Sequence, residues 1–98
     1  MVKPIIFEQF PAIEQKIPWT PLGDFPTPVQ KLEKLGAAVG HDGLWVKRDD
    51  LDSKVMGGNK VRVMEFLLAD ALSKNKRVAV SPGALGSNQV MASAVEML

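Results

Sequence analysis

The pattern that most restricts the fold starts at Leu44. The run Leu44-Trp45-Val46-Lys47-Arg48 alternates in character and is rich in residues suited to a pleated, half-buried surface, which predicts a strand. From Lys60 to Ser73 the period changes: Val61, Met64, Leu68 and Leu72 recur at three and four residues, with Leu67 and Ala71 widening the face, so a helix is expected. Arg77-Val78-Ala79-Val80-Ser81 is a second strand-like run, and Ser87 or Asn88 opens a second helix. Strand, helix, strand, helix predicts an α/β fold built on a parallel βαβ unit with a right-handed crossover. In such a sheet the segments that leave the strands emerge at one carboxyl edge, where open α/β sheets bind ligands. The turn before Lys60 and the turn before Ser87 are therefore expected to face a common cleft.

Residues 1 to 26 carry five prolines, which fix φ and withhold amide donors from any ladder, and so predict an extended N-terminal arm. Phe7, Phe10, Ile13, Ile17, Trp19 and Phe25 are spaced along it as packing anchors. Thr27-Pro28-Val29-Gln30 carries a helix-start signature: Thr as N-cap, Pro at the first helical position, Gln at the third. With Val29, Leu32 and Leu35 on one face and Gly36 as an end, a helix over 28–35 is expected. The organisation expected is an arm over 1–26 and an α/β domain over 27–98. The stretch Gln89 to Leu98 has good helix formers and no Gly, Asn or Pro to stop it, so the domain is expected to be truncated, the N-terminal portion of a longer protein.

Composition narrows the function classes. With 98 residues, 46% of them hydrophobic and 23% charged, the chain sits near the globular average for one domain or part of one. A net charge of +1, with no stretch that concentrates Lys and Arg among aromatics, argues against a nucleic-acid partner. Apolar runs such as Phe66 to Ala69 fall far short of the ~20 residues that span a bilayer, and the N-terminus lacks a signal-peptide core, so a cytoplasmic location is the default expectation. The absence of cysteine removes disulfides, thiolate metal sites and cysteine nucleophiles. Asp49, Asp50 and Asp52 cluster, but without the alternating ligands and closing Glu of a calcium loop. They are expected to form turns and to pair with Lys47, Arg48 or Lys54, and His41, in the turn Gly40-His41-Asp42-Gly43, is expected to face water; no metal site is expected.

The chemistry-bearing residues fall in two runs. Lys60 ends the glycine-rich turn Met56-Gly57-Gly58-Asn59 and begins a helix; Gly86-Ser87-Asn88-Gln89 is a second polar helix start. A lysine amine condenses with an aldehyde, and a Ser/Asn turn with the free amides of a helix start holds a carboxylate. Neither run matches a phosphate-binding or dinucleotide-binding glycine pattern, since G-x-x-x-x-G-K-[ST] and G-x-G-x-x-G are both absent. By spacing alone, a lone lysine at a helix start is most often solvated, and Ser87-Asn88 most often a plain N-cap.

Several separated motifs taken in order add to this. Gly23-Asp24-Phe25-Pro26-Thr27-Pro28-Val29, then Leu44 to Leu51, Gly57-Gly58-Asn59-Lys60-Val61-Arg62, Glu65-Phe66-Leu67-Leu68-Ala69-Asp70-Ala71 and Gly83 to Asn88 resemble the 1-aminocyclopropane-1-carboxylate deaminase / D-cysteine desulfhydrase family. These are pyridoxal-phosphate enzymes of the tryptophan-synthase-β type, and the likeness covers about residues 20 to 98. The resemblance implies a pyridoxal-phosphate fold type II domain. It implies that Lys60 carries pyridoxal 5'-phosphate and moves protons at the substrate carbon, and that Asn88 contacts the cofactor's pyridine hydroxyl. It further implies that Asn59 shapes the cofactor pocket, and that Ser87, Asn88 and Gln89 hold the substrate carboxylate. The reaction implied is breakdown of a small amino acid to a 2-oxo acid and ammonia, with hydrogen sulfide as well if the substrate is D-cysteine, by a homodimer.

Two positions depart from the family pattern. Val63 stands where a lysine often assists the cofactor phosphate, and Met56 replaces an aromatic before the glycine pair. Gln89 matches the deaminase form of the Ser-Asn turn, where desulfhydrases tend to carry His. The family's phosphate loop and later catalytic tyrosine have no counterpart in these residues, so the 98-residue chain by itself is expected to be inactive and to give no stable imine absorbance with the cofactor. A non-catalytic α/β small-molecule-binding module and a structural fragment are the alternatives from other classes.

Overall fold

The computed structural model describes residues 2–97. Two short helices come first, α1 (Ile5–Gln9) and α2 (Pro11–Glu14), followed by β1 (Val29–Lys31), α3 (Glu33–Val39), β2 (Trp45–Lys47), a 3-10 turn (Asp49–Leu51), α4 (Val61–Ser73) and α5 (Asn88–Glu96). The helices at 61–73 and 88–96 and the strand at 45–47 lie where hydrophobic period and polar helix starts put them.

Three segments differ from the expectations drawn above. The helix expected over 28–35 does not start at Pro28: β1 pairs antiparallel with β2 in the register Val29↔Lys47, Gln30↔Val46 and Lys31↔Trp45. Flanking bonds lengthen the pair, from the Arg48 amide to the Pro28 carbonyl and from the Leu32 amide to the Leu44 carbonyl, both 2.9 Å. Thr27, read as an N-cap, is buried and donates its hydroxyl to Asp49 Oδ1 at 3.0 Å. The helix begins instead at Glu33 and runs through Gly36 to Gly40, which closes it in the left-handed conformation at φ 69°. Gly36 is buried because the chain folds back on it, the His41 amide bonding its carbonyl at 2.8 Å.

The arm is not extended throughout. Pro11 occupies the first turn of α2, where its missing amide costs nothing, so prolines start this helix rather than prevent it. Phe7 on α1 is buried, edge-on to both Trp19 and Phe66 at centroid distances of 6.5 and 6.0 Å.

The parallel βαβ unit is not formed among the described residues. Residues 77–81 belong to no strand, with Val78 and Val80 more than four-fifths exposed, and the single sheet is the two-stranded antiparallel pair. A strand of β-prone residues needs a partner for its ladder, and none of the described segments supplies one. What stands is a small mixed helix and strand structure of α/β character.

The core lies where the arm, α4 and α5 meet. Val61, Met64 and Ala69 on α4, Ala92 on α5 and Phe7 are its buried apolar members. The Ser93 hydroxyl reaches Met64 Sδ at 3.6 Å between the two helices. Glu65 is buried on α4 and ties the arm down: its carboxylate accepts from Trp19 Nε1 at 2.8 Å and from the amides of Leu22 and Gly23 at 2.9 and 3.1 Å. Among the described residues no helix is long and apolar enough to cross a membrane.

Candidate functional site

Lys60 is the N-cap residue of α4 and half-buried. Its side chain makes no capping hydrogen bond. The turn that delivers it is held from two sides. Gly57 lies so close to the Asp50 carbonyl that a side chain would not fit. The Gly58 amide donates to Asp52 Oδ1 at 3.0 Å, while the Gly58 carbonyl accepts from Val61 N at 3.4 Å. Gly58 itself has φ 143°, a conformation that side-chain-bearing residues rarely adopt.

The second polar run meets this turn. A Cβ built on Gly58 would sit 2.7 Å from Asn88 Nδ2, so the Asn88 carboxamide occupies the space that the glycine leaves open, two positions before Lys60. Ser87 precedes it in extended conformation, φ −62° and ψ 122°, with its carbonyl accepting from Met91 N at 3.3 Å as α5 begins. Its hydroxyl does not cap the helix, and a Cβ added at Gly83 would lie 3.2 Å from it. Thus Asn88 is brought to the lysine turn from across the chain, with Ser87 beside it. Asn59 and Gln89 are exposed, and no side-chain hydrogen bond joins Lys60 to Ser87, Asn88 or Gln89 among the described residues.

The three aspartates behave differently from one another. Asp50 pairs with Arg48 at 2.7 Å, as the sequence suggested for this cluster. Asp49 pairs instead with Arg62 at 2.6 Å, and the guanidinium, which also bonds Thr27 and stacks 4.4 Å over the Phe25 ring, holds the Asp49 carboxyl below the usual range. Asp52 is fully buried, and burial pushes its carboxyl up against the pull of the Gly58 amide. Sequence reasoning treated Asp52 as one of three turn formers; only its position six residues before Gly58, across a tight loop, hinted that it would turn inward. Burial also raises Glu96 on α5, which the Ser53 hydroxyl approaches at 3.5 Å. Among the described residues no three His, Cys, Asp or Glu side chains gather as a metal-binding group. A largely apolar groove lined by Ile5, Ile6, Phe25, Pro26, Arg62 and Phe66 does not include Lys60 or Asn88.

No protein-family model matches the chain. No solved structure matches it either. Curated proteins do. A Pyrococcus horikoshii protein named "Putative 1-aminocyclopropane-1-carboxylate deaminase" is 42% identical over 83 residues, 85% of this chain and 23% of that protein. A protein of the same name from Pyrococcus abyssi is 40% identical over 92% of this chain and 25% of its own length. The D-cysteine desulfhydrase of Serratia proteamaculans is 41% identical over 80% of this chain and 24% of that enzyme. The chain spans about a quarter of the length of these curated relatives. Over most of its length, then, this chain is homologous to the proteins of the 1-aminocyclopropane-1-carboxylate deaminase / D-cysteine desulfhydrase family, and it is with that family that its sequence belongs.

Proposed function

We propose that these residues carry the reactive lysine of a pyridoxal-phosphate-dependent enzyme of fold type II that degrades a small amino acid to a 2-oxo acid and ammonia. The observation that carries the reading is the seat of Asn88 on Gly58, which puts a carboxamide beside the turn that presents a primary amine. The residues fit the group: a half-buried lysine amine at a glycine turn and a neutral amide donor alongside.

Pyridoxal phosphate, when bound, supplies an aldehyde for the amine and a conjugated ring that draws electrons from the substrate carbon. The chain's own residues do the rest. Lys60 Nζ would hold the group by its aldehyde, and as a free amine it would take or return the proton at the substrate's reacting carbon. Asn88 would donate to the ring hydroxyl. Ser87, Gln89 and the open amides at the start of α5 hold the substrate carboxylate, where the partial positive charge of a helix start favours an anion. Asn59 would help shape the pocket for the cofactor. Gln89, with no imidazole at that position, favours the deaminase reaction over the release of hydrogen sulfide from D-cysteine; relatives carry both names. Assembly as a homodimer and a cytoplasmic setting belong to the same proposal.

The test is borohydride reduction in the presence of pyridoxal phosphate, followed by peptide mapping. Reduction is irreversible, so it counts transient imines as well as stable ones. Lys60 is expected to take more label than any of the exposed lysines. Even labelling across all lysines overturns the reading in favour of a non-catalytic module.

A further inference from the structure

We propose that Asp52 is a positioning residue for the lysine turn, holding Gly57-Gly58-Asn59 in the shape that presents Lys60 beside Asn88. The proposal rests on the reading of Lys60 as the reactive amine.

Asp52 is unusual in two ways at once. It has no exposed surface, and one of its carboxyl oxygens, Oδ2, has no hydrogen-bond partner among the described residues. Leaving such an atom unpaired in the interior is costly, and an apolar residue of similar size would avoid the cost. The other oxygen has a specific task. Oδ1 accepts the Gly58 amide at 3.0 Å, at a residue whose φ of 143° is not maintained by any helix or strand. The main chain of Asp52 anchors it in turn: its carbonyl accepts from Asp24 N at 2.7 Å, and Gly23 packs directly against that carbonyl. The N-terminal arm, the 3-10 turn and the lysine turn are thus joined at one residue.

Charged neighbours surround it on three elements. Asp49 on the 3-10 turn, Arg62 on α4 and Glu96 on α5 all act on Asp52 or are acted on by it, and desolvation outweighs them in raising its carboxyl. A proton on Oδ2, the oxygen without a partner, leaves Oδ1 able to accept from Gly58 in either ionisation state. Ionisation strengthens that bond, so the Gly58 amide proton reports on the Asp52 carboxyl.

The experiment is amide NMR on the 98-residue chain, with Asp52→Asn and Asp52→Ala beside the wild type. In the wild type the Gly58 amide shift is expected to follow pH with a midpoint above the ordinary carboxylate range. In Asp52→Asn the titration vanishes while the amide stays protected, because Oδ1 is retained. In Asp52→Ala, Gly58 exchange rises about tenfold, the size of one lost hydrogen bond, while the amides within α4 are unchanged. Borohydride labelling of Lys60 by pyridoxal phosphate falls in Asp52→Ala and is kept in Asp52→Asn. Unchanged Gly58 exchange in Asp52→Ala, a pH response of Asp52 that Gly58 does not share, or a loss of protection spread equally through α4 each overturn the proposal. If Gly58 behaves as expected but wild-type Lys60 takes no preferential label, the role of Lys60 fails separately and Asp52 is reduced to an anchor of the fold.

Discussion

The carboxamide of Asn88 sits where a side chain on Gly58 would be: a Cβ there would lie 2.7 Å from Asn88 Nδ2. Position 58 therefore couples the two helix starts, and it does so at a backbone conformation, φ 143°, that already excludes most residues.

Gly58→Ala is expected to act on both counts. Strained backbone at such a φ costs about 1–3 kcal/mol, and the methyl group must also displace Asn88. Gly40→Ala is the natural comparison, since Gly40 has φ 69° but nothing within 4 Å of an added Cβ. There only the left-handed penalty of about 1 kcal/mol applies. Urea unfolding of the two variants measures the difference, and Asn88 side-chain amide shifts should move in the first alone.

Lys60→Ala separates chemistry from folding. The lysine makes no capping bond for the substitution to remove, so unfolding free energy should change by less than about 0.5 kcal/mol. The peptide containing position 60 should lose its cofactor label entirely. Retained label in that peptide would assign the adduct to a different group.

The acid limb of stability should depend on Asp49. Its carboxyl is held below the usual range by the Arg62 guanidinium, so its folded value lies below its unfolded one. Such a group stabilises the fold above the unfolded value, and that contribution is lost as pH falls through the folded value. Asp52 has the opposite sign: raised by burial, it contributes stability below the ordinary carboxylate range that is lost as pH rises through its folded value. Asp49→Asn should flatten the acid limb of a melting-temperature profile, and Asp52→Asn the limb above it.

Glu65→Ala leaves an indole N–H and the amides of Leu22 and Gly23 without their acceptor. About 3 kcal/mol is expected, against about 1 for Glu65→Gln, which keeps one oxygen in place. Trp19 fluorescence reports the release directly, with a shift to longer wavelength in the alanine variant.

Much of the architecture was legible because it rests on local pattern. The apolar spacing of Val61, Met64 and Leu68 specifies α4, and Ser87-Asn88 before a run of good helix formers specifies α5. The misreadings share a cause, which is long-range pairing. Thr27-Pro28-Val29-Gln30 satisfies every local rule for a helix start, yet Val29 pairs with Lys47 and Thr27 bonds Asp49, and those partners outweigh the local preference. Val78 and Val80 show the converse: strong strand formers with nothing to pair with remain outside any ladder. At the candidate site, Lys60 and Asn88 were visible as residue types, whereas Asp52 was not. Its inward turn is decided by Gly58, Asp24 and Gly23 together, a three-body arrangement that no spacing rule encodes.

The attachment of residues 19–23 to α4 has a further consequence. A strand along a sheet edge unzips one rung at a time, but here three donors converge on one carboxylate, so the segment 19–23, unlike the arm as a whole, has a single latch. It should let go in one step, and proteolysis or isotope exchange across those residues should show one shared rate in place of a gradient.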